Sequence, residues 1–320
     1  MTAGETAHFS LFGRAPPLRH YVIDEVTMYY ADSAGKLADA SDLNDQAIYD
    51  AHSVAGSVIG MSEEAIELAV EKGALINDTQ FARGKAGHLG AFYAPFDWIN
   101  SKADVVIVGI SPGQEQAKTA LKTFRRQLLK EAVNDTTLRR ALSEAKAAAS
   151  FDGQMRDIAA KLMDHFRIHD LLGLSSSSQL FGAASGRAHY TSAYRYPVLT
   201  KKNGVWANYS GGEDVRSRSN PLLSGFVNDY LIPELQCFPD AWIIPFGPTP
   251  AAILSELGRL GIVDNSKILA GLNHPTGQQW NRHRCQLDMV DHDRCATNVG
   301  CSKIQQRSLA LCSRVLALLA

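Results

Sequence analysis

The segment DVVIVGISPGQEQAKTALKTFRRQLLKEAV, residues 104–133, decides the fold. Val105, Val106, Ile107 and Val108 are all β-branched and apolar, with no polar alternation. Such a run is buried on both faces, as in a parallel sheet covered by helices on each side. Pro112-Gly113 ends the strand, and the chain then turns into a helix carrying Lys118, Lys122, Arg125 and Arg126 at helical spacing on faces expected to be exposed. A strand running directly into a helix is half of a βαβ unit.

The same alternation continues outward. FDGQMRDIAAKLMDHFRIHDLLGL (151–174) reads as an amphipathic helix, HYTSAYRYP (189–197) as a short strand stopped by proline, and AWIIPFG (241–247) as another buried strand. The stretch PLLSGFVNDYLIPELQCF is helical with an interruption at Pro233, and a helix follows in PTPAAILSELGRLG. KILAGLNHPT (267–276) reads as a third strand entering a loop, and SKIQQRSLALCSRVLALLA (302–320) as a terminal helix. These elements predict an α/β fold, a three-layer αβα sandwich around a central, mostly parallel sheet. Functional loops are then expected beyond the carboxyl ends of the strands, at 109–117, 191–197 and 273–283.

Residues 1–20 read as a loose leader, and the rest of the front end as helical, clearest in SEEAIELAVEKGALI with Ser62 as a cap. Residues 1–88 are expected to form an acidic helical N-terminal extension, and residues 89–320 the α/β domain. Residues 1–80 hold 4 Lys+Arg against 13 Asp+Glu, a net charge of -9, and the remainder carries +8. A positive body suits a polyanion partner.

With 320 residues, 45% of them apolar and 20% charged, the composition excludes collagen-like, disordered and disulfide-scaffold classes. No apolar run approaches the ~20 residues that span a bilayer. The first residues lack the basic start and apolar core of a secretory signal, so a cytoplasmic protein is expected, with no membrane and no obligatory protein partner. The five cysteines all lie in the last third. The group His283, Cys285, His292, Cys295 and Cys301 lacks a close Cys-x-x-Cys pair, so ordinary reduced thiols are expected, with no metal and no cofactor.

Three segments carry the chemistry: GISPGQEQA (109–117), TSAYRYPV (191–198) and NHPTGQQWNRH (273–283), with IIPFGPTPAAIL (243–254) between the last two. In this order they resemble the uracil-DNA glycosylase superfamily over roughly residues 90–315, and AFYAPFDWINSKAD (91–104) is similar to stretches found in that group. The resemblance implies a uracil-DNA glycosylase-like fold and a base-flipping DNA glycosylase that hydrolyses an N-glycosidic bond and leaves an abasic site. Such an enzyme serves DNA repair by base excision, or antiviral defence.

By the same resemblance, a residue of the first loop orients water against the sugar. Glu115 is the only carboxylate there, with Gln114 and Ser111 as polar neighbours. His274 would stabilise negative charge on the departing base. Ile110, Tyr190, Ser192, Tyr93 and Asn273 would line the base pocket. Pro112, Gly113, Thr276, Gln278, Arg282 and Arg284 would engage the DNA backbone. Two departures stand out: Ser111 replaces the Asp or Asn common in the first motif, and Ser192 replaces an Asn that reads uracil. A hydroxyl cannot replace a bidentate amide. The expected substrate is therefore a non-standard or modified base, a glucosylated cytosine of phage DNA being one candidate and uracil the other. The rival expectation is an inactive glycosylase fold that binds nucleic acid without cutting it.

Overall fold

A computed structural model describes residues 19–23, 26–30, 39–211, 220–292 and 295–320. The chain divides into residues 1–37 and residues 38–320. In the first part, β1 (Arg19–Ile23) and β2 (Val26–Tyr30) pair antiparallel, so this piece of the front end is strand where helix was expected; the β-branched and aromatic residues of HYVI and VTMYY suit a strand. Apart from Arg19 and His20, the leader expected over residues 1–20 lies outside the described residues.

Residues 38–320 open with α1 (Ala40–Gly60), capped by the Asp39 carboxylate, and α2 (Glu63–Glu71), whose Ser62 hydroxyl accepts the Ala65 N–H as the sequence predicts. The hairpin β3 (Ala82–Ala86) and β4 (Leu89–Phe92) follows. The boundary expected between residues 88 and 89 falls inside this hairpin, so residues 38–88 belong to the same unit as the rest. Burial explains it. Val54 and Val58 of α1 and Ile66 and Val70 of α2 share one apolar cluster with Leu121 and Phe124 of α3 (Gln114–Leu128) and Leu138 and Leu142 of α4 (Asp135–Ala149).

Charge pairing joins the same elements. Glu63, Glu67 and Glu71, one turn apart on α2, meet Arg126, Lys122 and Lys118 of α3 at 2.8, 2.5 and 2.7 Å. The basic residues of α3, expected to be exposed, are thus largely engaged: Lys118 is 8% exposed, and Arg125 donates to the Met61 carbonyl. Part of the acidic front end's charge is matched inside the fold rather than facing a partner.

β5 (Val105–Gly109) is central and buried at all five positions. It pairs in parallel with β6 (Ala188–Ser192) on one side and β9 (Trp242–Pro245) on the other. The expected third strand at 267–276 joins β9 only through the parallel bridges Ile243–Ile268 and Phe246–Leu272. A second sheet was not expected: β3, β4, β7 (Val198–Lys202) and β8 (Val205–Asn208) are antiparallel throughout. Residues 38–320 are therefore mixed α/β, with one parallel and one antiparallel sheet among the described residues, and the mostly parallel reading holds for the central sheet alone.

Val105, Ile107, Tyr190 and Ile244 share a core with α5 (Gln154–His165), α6 (Ile168–Leu171) and α11 (Cys301–Leu319). The single helix expected over 151–174 breaks between α5 and α6 at Arg167, which has a left-handed φ of 59°. His189 and Thr191, alternating with Tyr190 along β6, instead meet Glu234 of α8 (Ile232–Gln236). Between α7 (Pro221–Phe226) and α8 a π-helical turn at Val227–Leu231 accommodates Pro233, which has no N–H to donate. α9 (Pro248–Arg259) and α10 (Trp280–Gln286) complete the helices. Among the described residues, no helix is long and apolar enough to cross a membrane.

Across the parallel sheet the order is β6, β5, β9, then residues 268–272. Strand order reverses at β5 and β9, so the crevice beyond their carboxyl ends is where such a sheet binds a ligand.

Candidate functional site

That crevice holds a pocket with about 30 Å³ of free volume. Ile110, Ser111 and Pro112 form one wall, Tyr190 and Ser192 the strand end, and His274 the opposite rim. All three predicted loops thus converge. The close packing needs glycine at Gly247, whose φ is +100° and whose added Cβ would lie 3.3 Å from the His274 Cβ.

The pocket residues differ in how free their polar groups are. Ser111 Oγ accepts the Val198 N–H at 2.9 Å and lies 3.2 Å from the Tyr196 carbonyl, bracing the first loop against β7. Donation to that carbonyl leaves Oγ one lone pair for a water. Tyr190 donates its hydroxyl to the Leu180 carbonyl and stacks on Phe181, ring centroids 5.7 Å apart, so it presents ring rather than hydroxyl. Burial, aided by His283, pushes the His274 imidazole down to about 4, so it is neutral at pH 7.

Other candidates lie outside the pocket. Glu115 points to solvent with 85% of its side chain exposed and pairs with Lys118 at 2.8 Å. On the first turn of α3 its side chain faces outward, and the water-orienting role expected of it is not available in this arrangement. Gln114 donates instead to the carbonyls of Val70 and Glu71. Gly113 does not offer an open approach to a nucleotide, because Asn208 of β8 occupies the space: an added Cβ would lie 3.2 Å from Asn208 Nδ2. The Asn208 Oδ1 accepts the Gln114 N–H at 2.8 Å, capping a helix whose N-cap glycine has no side chain to do so. Tyr93 is fully buried against Tyr196 and Arg83. Asn273 holds the loop rather than lining it, donating to the Arg282 carbonyl and accepting from Arg307. Thr276, Gln278, Arg282 and Arg284 follow His274 outside the pocket; Gln278 and Arg282 are exposed, and the neighbouring Trp280 is 43% exposed.

Sequence reasoning missed the charged wall. Lys146 of α4 and Arg195 both line the pocket, and both pair with the fully buried Glu234, at 3.3 and 2.9 Å. Glu234 also accepts from Thr191 at 2.9 Å and meets His189 Nε2 at 2.6 Å. His189 Nδ1 accepts the Asn100 N–H, so its proton sits on Nε2 and is donated to Glu234. Arg195 lies over the Tyr230 ring, 4.0 Å from Asp97. Burial lowers Lys146 to about 8, and the cations around Glu234 hold its carboxyl well below the usual range. Phe151, also at the pocket, has a left-handed φ of 51°, rare for a bulky side chain. No local pattern marks these residues, because four separate segments supply them.

An expected consequence concerns pH. Burial holds His189 at about 4, like His274, against 6.5 in an ordinary setting. Between those values the unfolded chain binds more protons, so stability is full above about pH 6.5 and is lost as pH falls toward 4. Each pKa unit is worth about 1.4 kcal/mol per group. His189, at 1% exposure, carries the larger share, and Glu234 acts in the same direction below its ordinary 4.5. Urea unfolding at pH 7 and pH 5 should show a clear loss at pH 5. Equal stability at the two values would mean that both rings are solvated.

Near α10, the donor atoms of Cys285, His292, Cys295 and Cys301 lie within 4.8 Å of one another and could hold a metal. Cys295 and Cys301 are joined as a disulfide in this structure, whereas the sequence reading expected reduced thiols.

The chain is 32% identical over 228 residues to the uncharacterized protein YoxB of Bacillus subtilis (strain 168), a match covering 69% of this chain and 85% of that protein. No family model matches, and no solved structure matches.

Proposed function

The chain belongs to the family of Bacillus subtilis YoxB, and from the geometry of its pocket we propose that it is a DNA glycosylase of the uracil-DNA glycosylase type, hydrolysing the N-glycosidic bond of a non-standard base. The observation that carries this reading is the convergence of the 109–113, 190–192 and 274 segments on one pocket at the strand-order reversal of a parallel sheet. A flipped base enters between Ile110 and Tyr190, with the Phe151 ring beside it. As the bond to the sugar breaks, negative charge grows on the base. Neutral His274 donates a hydrogen bond to it without first losing a proton, and the Lys146 and Arg195 side chains place positive charge at the same wall. Ser111 Oγ, with its remaining lone pair, holds the water that attacks C1′, and the departing base anion takes up the proton that this water loses. Gln278, Arg282 and the exposed Trp280 contact the DNA beside the flipped nucleotide.

Either base needs the walls to part, a glucosylated cytosine further than uracil. Ser192 still offers only a hydroxyl, so discrimination among compact bases is expected to be loose.

A second reading has its own support. Among the described residues no carboxylate lines the pocket, and the Gln116 amide is spent on the Gly113 N–H and the Ala149 carbonyl. A fold so arranged can bind a flipped base without cutting it. Single-turnover assays with excess protein on duplexes carrying uracil, and on phage DNA carrying glucosylated hydroxymethylcytosine, decide between the two. Abasic sites in either substrate support the enzyme. Binding with no abasic sites in both leaves the binding module.

A further inference from the structure

We propose that Cys285, His292, Cys295 and Cys301 form a structural zinc site, independent of the base pocket. Four donors within 4.8 Å of one another is what a tetrahedral Cys₃His site requires. A disulfide accounts for only two of them. Cys285 Sγ approaches Cys301 Sγ to 2.7 Å, so Cys301 is crowded by two sulfurs although it can bond to only one. His292 Nδ1 faces the same cluster, 3.7 Å from Cys285 Sγ.

The second, independent observation is the other side of that imidazole. His292 Nε2 meets the Asp288 carboxylate at 3.1 Å. A ligating histidine usually gives its remaining N–H to a carboxylate, which fixes the tautomer and leaves the facing nitrogen free to bind metal. Asp288 is held for this by a left-handed φ of 54°, and its other oxygen lies 3.3 Å from His165 Nε2 on α5.

Among the described residues, the apolar cluster under the segment is small: Cys285, Val299 and Ile304 are buried, with Val290, Cys295 and Cys301 packed against them. The segment's regular structure between α10 and α11 is confined to short 3₁₀ turns among the described residues. Once a thiol reductant has cleaved the Cys295–Cys301 disulfide, a two-electron step that yields two thiols, zinc would tie Cys285 on α10 and Cys301 on α11 to this loop, with release of three thiol protons on binding. Gln286, next to Cys285, accepts the Asn273 N–H at 2.7 Å and donates to the Gly271 carbonyl at 2.8 Å. A clamp on Cys285 therefore steadies the backbone that enters the His274 loop.

The test is metal content of the full chain, expressed with zinc and purified under reducing conditions. Near one zinc per chain is expected, with three sulfurs at about 2.3 Å and one nitrogen at about 2.0–2.1 Å by X-ray absorption. Cys285→Ser and Cys301→Ser should lose the metal, and Cys237→Ser and Cys312→Ser should keep it. If the first two fail to fold, His292→Cys preserves four ligands and should retain zinc. Asp288→Asn should weaken zinc about 10- to 100-fold in competition with a chromophoric chelator. Metal-free protein, whether Cys295 and Cys301 are then found as thiols or as a disulfide by peptide mapping, would overturn the proposal, as would iron in place of zinc.

Discussion

His274→Ala is expected to lower the single-turnover rate of base release by about 10²- to 10³-fold, the usual cost of deleting one donor aimed at developing negative charge. Among the described residues His274 is the one imidazole on the pocket wall, and its surroundings hold it neutral, with a pKa pushed down to about 4. Its contribution in the wild type should therefore be constant from about pH 5.5 to 8. A rate that rises on acidification through pH 6 would mean that the imidazolium is the working form. On the proposed function the substitution should leave DNA affinity nearly unchanged, because the DNA contacts proposed for Gln278, Arg282 and Trp280 remain. An unchanged rate of base release would remove His274 from the mechanism.

Glu234→Gln should produce the largest loss of stability, about 3–5 kcal/mol by urea unfolding at pH 7, the range found when one partner of a buried ion pair is removed. Glu234 has no solvent exposure, and two nearly buried cations, Lys146 and Arg195, depend on it. The neutral amide keeps the shape but leaves both charges short of an anion. Lys146 adds a second signature. Its folded pKa, about 8, lies below the ordinary 10.5, so the unfolded chain binds more protons between those values and stability rises with pH across them. Without Glu234 the ammonium is still less favoured and that rise should begin at lower pH. A deficit under about 1 kcal/mol would mean that water reaches the network and screens it.

The elements legible in the sequence are those with a one-dimensional signal. Val105–Gly109 shows as a β-branched run because both its faces are buried, and Ser62 shows as a cap because the hydroxyl acts within three residues. The antiparallel sheet was harder to see. β3 reads ARGKA with two exposed positions, and β8 is mostly exposed, so neither has an apolar run. One local mark existed: Asn203-Gly204, with φ of 50° and 82°, turns the β7–β8 hairpin. Of the residues expected as catalytic or base-binding, Ile110, Ser111, Tyr190, Ser192 and His274 do meet at one pocket. Glu115 does not, because the turn from strand to helix rotates it outward, which a spacing of a few residues cannot reveal.

The sequence by itself determined the βα alternation, the central strand and the three loops that follow strand ends, since each depends on hydrophobic period and turn chemistry within a single segment. Only the tertiary structure decided which charges are solvated and which are paired. Lys118, Lys122 and Arg126 look like a face for a polyanion until α2 lays Glu71, Glu67 and Glu63 against them. Lys146, Arg195, Glu234 and His189 look like unrelated surface residues until burial makes each depend on the others. Electrostatic pairing and desolvation act across space, between segments tens of residues apart, and it is these that place the pocket's charged wall.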